Sequence, residues 1–296
     1  MSDKLNVPPK KAEPSKRKMV ILFAGILAVS GCVFGLGYYF YALSHTSTDD
    51  AFIEGHAIAI SPKVSGHILK VYIDDNQQVK AGDLLVEIDS RDYETRCKMA
   101  EANLEAAQAK ASQAEEDVGR YKKLTLNDEI SKQDMEHVLV KARIANAEYE
   151  QAKAALMQAK LELSYTKIYA PATGRVTEKS VEEGAFVQIG QMLLEIVTPE
   201  RWVIANLKET DLKNILPGQP VTITIDAYPG KVFKGHVDSI QRGTGARFSL
   251  LPPENATGNY IKIVQRVPVK IVFDEEPDSQ HPLALGMSVI PTIKTK

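Results

Sequence analysis

The sequence predicts an α+β chain of several domains, elongated, with a single N-terminal transmembrane helix, a β-barrel, a split β-module and an antiparallel coiled-coil α-hairpin. Three observations predict this. A long uncharged run lies near the N-terminus, one segment occurs twice at an offset of 108 residues, and two strict heptad patterns fill the space between the copies. The 296 residues carry a net charge of −2 with 25 % charged side chains, as an ordinary folded multi-domain chain does. No block of basic residues is interleaved with aromatics, so nucleic acid is not an expected partner. Cys32 and Cys97 lie in segments that cannot plausibly meet, which implies no disulfide framework.

Residues 1–18 are polar and include Lys4, Lys10, Lys11, Lys16, Arg17 and Lys18; they read as a cytoplasmic tail. Residues 19–43 contain no charge, and 25 helical residues at about 1.5 Å each exceed a hydrocarbon core of roughly 30 Å. Tyr38, Tyr39 and Tyr41 stand where an aromatic belt would sit, and acidic residues follow with no Lys or Arg before Lys63. The positive-inside rule therefore places the N-terminus in the cytoplasm and the main body outside. A cleaved signal peptide would have a shorter apolar run. Val29-Ser30-Gly31-Cys32 also looks like a lipoprotein cleavage site, so lipidation of Cys32 stays open beside a retained helix.

The duplicated segment spans residues 61–89 and 168–197. Gly66 aligns with Gly174, Ile73 with Val181, Val79 with Val187, Gly82 with Gly190 and Glu87 with Glu195. Alternating Val, Ile and Leu broken by single glycines predicts short strands and tight turns. Each copy is too small to bury its own apolar face, so the halves should close on each other.

Residues 90–167 leave this module and return to it. Tyr93, Cys97, Ala100, Leu104, Ala107, Ala111, Ala114, Val118 and Tyr121 step by four and three. Met135, Val138, Ala142, Ala145, Tyr149, Ala152, Leu156, Ala159 and Leu163 step by three and four. Such heptads predict two coiled-coil helices, and their alanine seams allow close approach. Helices of this length reach roughly 50 Å. The turn is expected at Asn127-Asp128, with Leu124 an exposed leucine one position off the seam and Ser131 opening a capping box with Asp134.

Residues 44–60 and 198–296 predict the barrel, in runs such as VTITIDA, KVFKGHVDSI, RVPVKIVF and MSVIPTI. A short polar helix is expected in KETDLKNIL. The long loop from Gly243 to Asn259 holds Phe248, Leu250 and Leu251, which either contact a partner or plug one end of the barrel. No catalytic, metal or cofactor constellation is present in the pattern: the histidines lack metal spacing, and GTGARF lacks the third glycine of a dinucleotide loop.

Together the strings TDDAFIEGHAIAISPKVSGHI, the paired β-halves, RYKKLTLNDEIS and FSLLPPENATGNYIKIVQRVPVKI resemble the membrane-fusion or periplasmic adaptor family of the haemolysin-secretion and Emr multidrug-resistance type. The resemblance covers most of residues 19–296. It implies a lipoyl-like module, no enzymatic activity, and an inner-membrane location with a periplasmic body. It further implies a bridge from an inner-membrane transporter to a TolC-like outer-membrane channel, and a ring of three or six copies. The Arg-Leu-Ser docking pattern of such adaptors falls on Arg120, Leu124 and Ser131. Phe248, Leu250 and Leu251 are the candidate transporter contacts. A transmembrane anchor and room for only one barrel after the second half point to a major-facilitator partner exporting drugs, although the hairpin is nearer the length found with RND pumps. Alternatives of the same architecture are secretion of a polypeptide or siderophore with an ABC transporter, or a non-transport envelope scaffold. Lipoyl-like modules that carry a swinging cofactor need a lysine at the turn between the halves; this chain has EIDSRDY there.

Overall fold

The computed structural model describes residues 16–125, 131–248, 263–275 and 281–295; the side chains of residues 16–22, 24, 28, 38, 40, 42, 43 and 125 are outside that description. The elements in chain order are α1 (Lys16–Ser44), β1 (His45–Ser47), β2 (Ala51–Ile60), β3 (Gly66–Val71), β4 (Gln78–Val79), β5 (Leu84–Ile88), α2 (Arg91–Thr125) and α3 (Lys132–Ser164). They continue with β6 (Lys167–Tyr169), β7 (Gly174–Thr177), β8 (Phe186–Val187), β9 (Leu194–Lys208), β10 (Pro220–Ile225), β11 (Val232–Ile240), the turn α4 (Gly245–Phe248), β12 (Arg266–Phe273) and β13 (Val289–Lys294). The chain divides into two compact units, one of residues 1–54 and 201–296 and the other of residues 55–200.

In the unit of residues 55–200, the repeat is visible as a two-fold pattern of strand pairing. Gly66 lies opposite Val187 and His67 opposite Phe186 where β3 meets β8. Adding or subtracting the offset gives Gly174 opposite Val79 and Arg175 opposite Gln78, which is the pairing of β7 with β4. The turns repeat as well: Asn76 and its counterpart Gly184 both have positive φ, as do Gly82 and Gly190. Each half thus lends a short strand to the other. The shared core joins Ile60, Ile68, Val79, Leu85 and Ile88 to their counterparts Ile168, Val176, Val187, Leu193 and Ile196. Burying these side chains in common is what neither half achieves alone.

In the other unit, β13, β10, β11, β12 and β9 are successive antiparallel neighbours. β1 adds to the edge of β13 and β2 pairs with β9. Closure comes from a bridge between Phe52 and Ser288, with the Ile53 N–H donating to Met287 O at 2.9 Å and the Gly286 N–H to Ile53 O at 2.8 Å. Strict alternation turns Val221, Ile223 and Ile225 of β10 inward and leaves Pro220, Thr222 and Thr224 exposed. The enclosed core also holds Ile53, Val203, Ala205, Leu207, Val269, Ile271 and Ile293.

Two expectations need correction. Residues 55–60 were assigned by pattern to the barrel, yet they fall in the other unit, where Ile60 packs in the shared core and its carbonyl accepts from the Leu193 N–H at 2.8 Å. Alternation along a single strand cannot show where one core ends and the next begins. The polar helix expected in KETDLKNIL is only a 3-10 turn over Leu212–Asn214. Pro217-Gly218 follows too closely for an α-helix to propagate.

Candidate functional site

The hairpin is built from its seam outward. Between residues 93 and 124 of α2, the buried or half-buried positions are the nine heptad residues, Asp117 and Leu124. In α3 they are the second heptad set and Glu162. Ala111, Ala114, Ala142 and Ala145 form the packed centre, with Val118 and Tyr149 against it. The side chains bridging the helices are Arg96–Glu162 (4.0 Å), Lys160–Glu101 (3.2 Å), Lys110–Glu148 (3.7 Å) and Asn146–Glu115 (3.3 Å). As the α2 number rises through 96, 101, 110 and 115, its α3 partner falls through 162, 160, 148 and 146, which sets an antiparallel register. All are at the surface and set register more than they stabilise.

The hairpin's base is tied to the split module at both helices. Tyr93 and Tyr165 pack against the shared core, the Tyr93 hydroxyl donates to Ser65 O at 2.7 Å, and the Lys63 ammonium lies 4.8 Å from the centre of the Tyr165 ring. Asp89 precedes α2 and accepts from the Arg91 N–H at 3.1 Å and from its guanidinium. These hydrogen bonds hold the Asp89 carboxyl well down, at about 2.

At the far end, Arg120 is 68 % exposed; its guanidinium lies 3.6 Å from Asp117 one turn back on the same helix. Ser131 is the N-cap of α3: its hydroxyl oxygen accepts from the Asp134 N–H at 3.2 Å. The reciprocal arm of the expected box is replaced, since the Ser131 hydroxyl donates to the Asp134 carboxylate at 2.7 Å. An aspartate is one methylene shorter than the glutamate that normally reaches back. Leu124 is half-buried rather than exposed. It follows the seam residue Tyr121 by three and stays close to that face. Arg120, Leu124 and Ser131 thus all belong to the last described turns around the tip, whereas Asn127 and Asp128 lie outside the described residues.

Phe248 ends the turn α4 with its ring 65 % exposed and laid over the backbone of Gly243, where a Cβ would collide with it. It is not part of the barrel core. Leu250 and Leu251 lie outside the described residues. Pattern reading missed a polar cluster behind TDDA. Asn206 Nδ2 donates to Asp50 at 3.0 Å, Arg266 lies 3.1 Å from the other Asp50 oxygen, and Arg266 also donates to Asn206 O at 3.1 Å. The Thr48 hydroxyl donates to that same carbonyl at 3.2 Å. Local pattern does not show this cluster, because its partners are more than 150 residues away. Among the described residues no group of His, Cys, Asp and Glu is arranged to hold a metal ion.

Residues 56–199 match a family model described as the barrel-sandwich hybrid domain of RND membrane-fusion proteins, and residues 201–294 match an AAEA-like β-barrel domain. The probable multidrug resistance protein EmrK of Escherichia coli (strain K12) is 35 % identical over 337 residues, covering 97 % of this chain and 86 % of EmrK. The chain belongs to the membrane-fusion, or periplasmic adaptor, family. A second relative of this membrane-fusion protein, the multidrug export protein EmrA of Haemophilus influenzae, is 31 % identical over 94 % of this chain and 84 % of its own. In fold, the membrane-fusion protein is similar to the crystal structure of MacA from Actinobacillus actinomycetemcomitans, with a TM-score of 0.67 and 24 % identity over 86 % of this chain and 80 % of that one. The model boundaries at 199 and 201 fall where the two units of the membrane-fusion protein divide.

Proposed function

We propose that this membrane-fusion protein is the periplasmic adaptor of a tripartite multidrug export system, linking an inner-membrane transporter of the major-facilitator type to a TolC-like outer-membrane channel. The observation that carries the reading is the hairpin. Helices of 35 and 33 residues are closed by an alanine seam, and the tip presents an exposed Arg120 whose partner among the described residues is Asp117 of its own helix. Such a device stabilises little beyond itself; its use is to reach a second body. Arg120, Leu124 and Ser131 would dock on the channel, the barrel end with Phe248, Leu250 and Leu251 would face the transporter, and copies would assemble as a ring of three or six. The adaptor would be mechanical, with no catalysis of its own.

Anchoring in the inner membrane, with residues 1–18 cytoplasmic and the body periplasmic, is part of the same reading. Among the described residues no helix is long and apolar enough to cross a membrane. The support is in the sequence, where residues 19–43 carry no charge and lie within α1. Multidrug cargo is inferred from the names of EmrK and EmrA, both at least 31 % identical. In-cell crosslinking followed by pull-down of the tagged chain and mass spectrometry tests the proposal. A multi-spanning transporter recovered with a TolC-like channel supports it, and the transporter's class decides the cargo. Recovery of neither would return the chain to an envelope scaffold.

A further inference from the structure

Strand register gathers one end of the barrel around the exit of α1. The Thr295 N–H donates to the carbonyl of Ser44, the last residue of α1, at 2.8 Å, and His45 lies opposite Lys294. Ile293 faces Val221, Pro220 faces His236, Ile240 faces Val269 and Arg266 faces Lys208. Followed strand by strand, the end of β11, the start of β12 and the exit of α1 therefore share one end. The cluster of Thr48, Asp50, Asn206 and Arg266 ties the first residues after α1 to that same end.

At this end the described parts of the β11–β12 connection present apolar side chains to solvent. Phe248 is 65 % exposed, Ile263 58 % and Val264 49 %, flanked by the exposed Arg242 and Arg247. None of the three joins the barrel core. Aromatic and aliphatic side chains beside arginines are the composition of a bilayer interface, where rings sit at headgroup level and guanidiniums meet phosphates. We infer that Phe248, Ile263 and Val264 seat this end of the barrel in the phospholipid surface beside the anchor. Lipid is then the occupant at Phe248, in place of the transporter contact proposed for that side chain above. Asp49 and Glu209 are also exposed at this end, so the contact rests on apolar insertion with locally placed arginines and not on net charge. The inference rests on the anchor reading, since only a membrane-spanning α1 brings this end to the bilayer.

The test uses the full chain in nanodiscs. Trp202, the sole native indole, is replaced by Phe, and a reporter is introduced as Phe248→Trp or, at the opposite end of the barrel, as Val232→Trp, which is 54 % exposed in the native chain. With brominated phosphatidylcholine, position 248 should lose roughly half its emission, as an indole held at the interface does, while position 232 keeps its own. Equal emission at both positions in a chain that co-elutes with the nanodisc overturns the lipid contact and leaves the anchor standing. Failure to co-elute overturns the anchor reading, and this inference with it. Loss of quenching at 248 when the recovered transporter is co-reconstituted assigns the surface to protein and overturns the lipid contact as well.

Discussion

Among the described residues Arg120 pairs with a carboxylate of its own helix, and two-thirds of its side chain is in water, so folding gains little from it. Arg120→Asp is expected to leave the melting temperature within error and to abolish export, read by drug accumulation beside thermal unfolding of the purified chain. Ser131 differs, because its hydroxyl caps α3. Ser131→Ala should cost about 1 kcal/mol of hairpin stability. A loss of export that recovers with the alternative cap Ser131→Asn would show that the cap, not a channel contact, is what matters there. Cys97 is 7 % exposed in the seam and should react slowly with a membrane-impermeant maleimide until the hairpin is unfolded; rapid labelling of the native chain would break the register. At Asp89 the folded value of about 2 lies below the unfolded value near 3.9, so its contribution is complete above about pH 4 and is lost as pH falls through 2. NMR titration should find that low midpoint, and Arg91→Ala should raise it, with the accompanying loss of stability present near neutrality and absent below about pH 2.

At the scale of the element, the hairpin was legible because a heptad is a local property. Every residue named from the three-four steps is buried or half-buried. Leu124 was misjudged as exposed because a strict heptad gives no account of positions just beside the seam, where straight helices drift by about 20° per heptad. Centre alanines set the spacing of the two helices. Ala145→Leu should overpack that centre and destabilise the hairpin by roughly 1–3 kcal/mol. Hydrogen exchange would locate the effect, with faster exchange along α2 and α3 and unchanged protection in the barrel strands.

The two-fold pairing of the split module is a property of the whole chain, since strands more than 90 residues apart complete each other. Its glycines are related by the offset but not equal in consequence. A Cβ on Gly66 would meet only the Ile88 side chain at 2.6 Å, whereas one on Gly174 would meet Ile196 at 2.7 Å and the Val197 carbonyl oxygen at 2.5 Å. Backbone cannot step aside as a side chain can. Gly174→Ala should therefore cost more stability than Gly66→Ala, by about 1 kcal/mol or more in denaturant unfolding. Equal losses would show that β9 yields at Val197.

The sequence by itself determined the family, the two matched halves, the seams of the hairpin and the alternation of the barrel strands, because hydrophobic period and turn chemistry are written within a few residues. Only the tertiary structure decided that each half exchanges a strand with the other, and that residues 55–60 leave the barrel for the module's core. The same holds for the grouping of Thr48, Asp50, Asn206 and Arg266, and for the placing of Phe248 at the end where α1 emerges. Those choices join residues far apart in sequence. They are made by which apolar faces can be buried together and which polar groups then need partners, and neither is a property of any one segment.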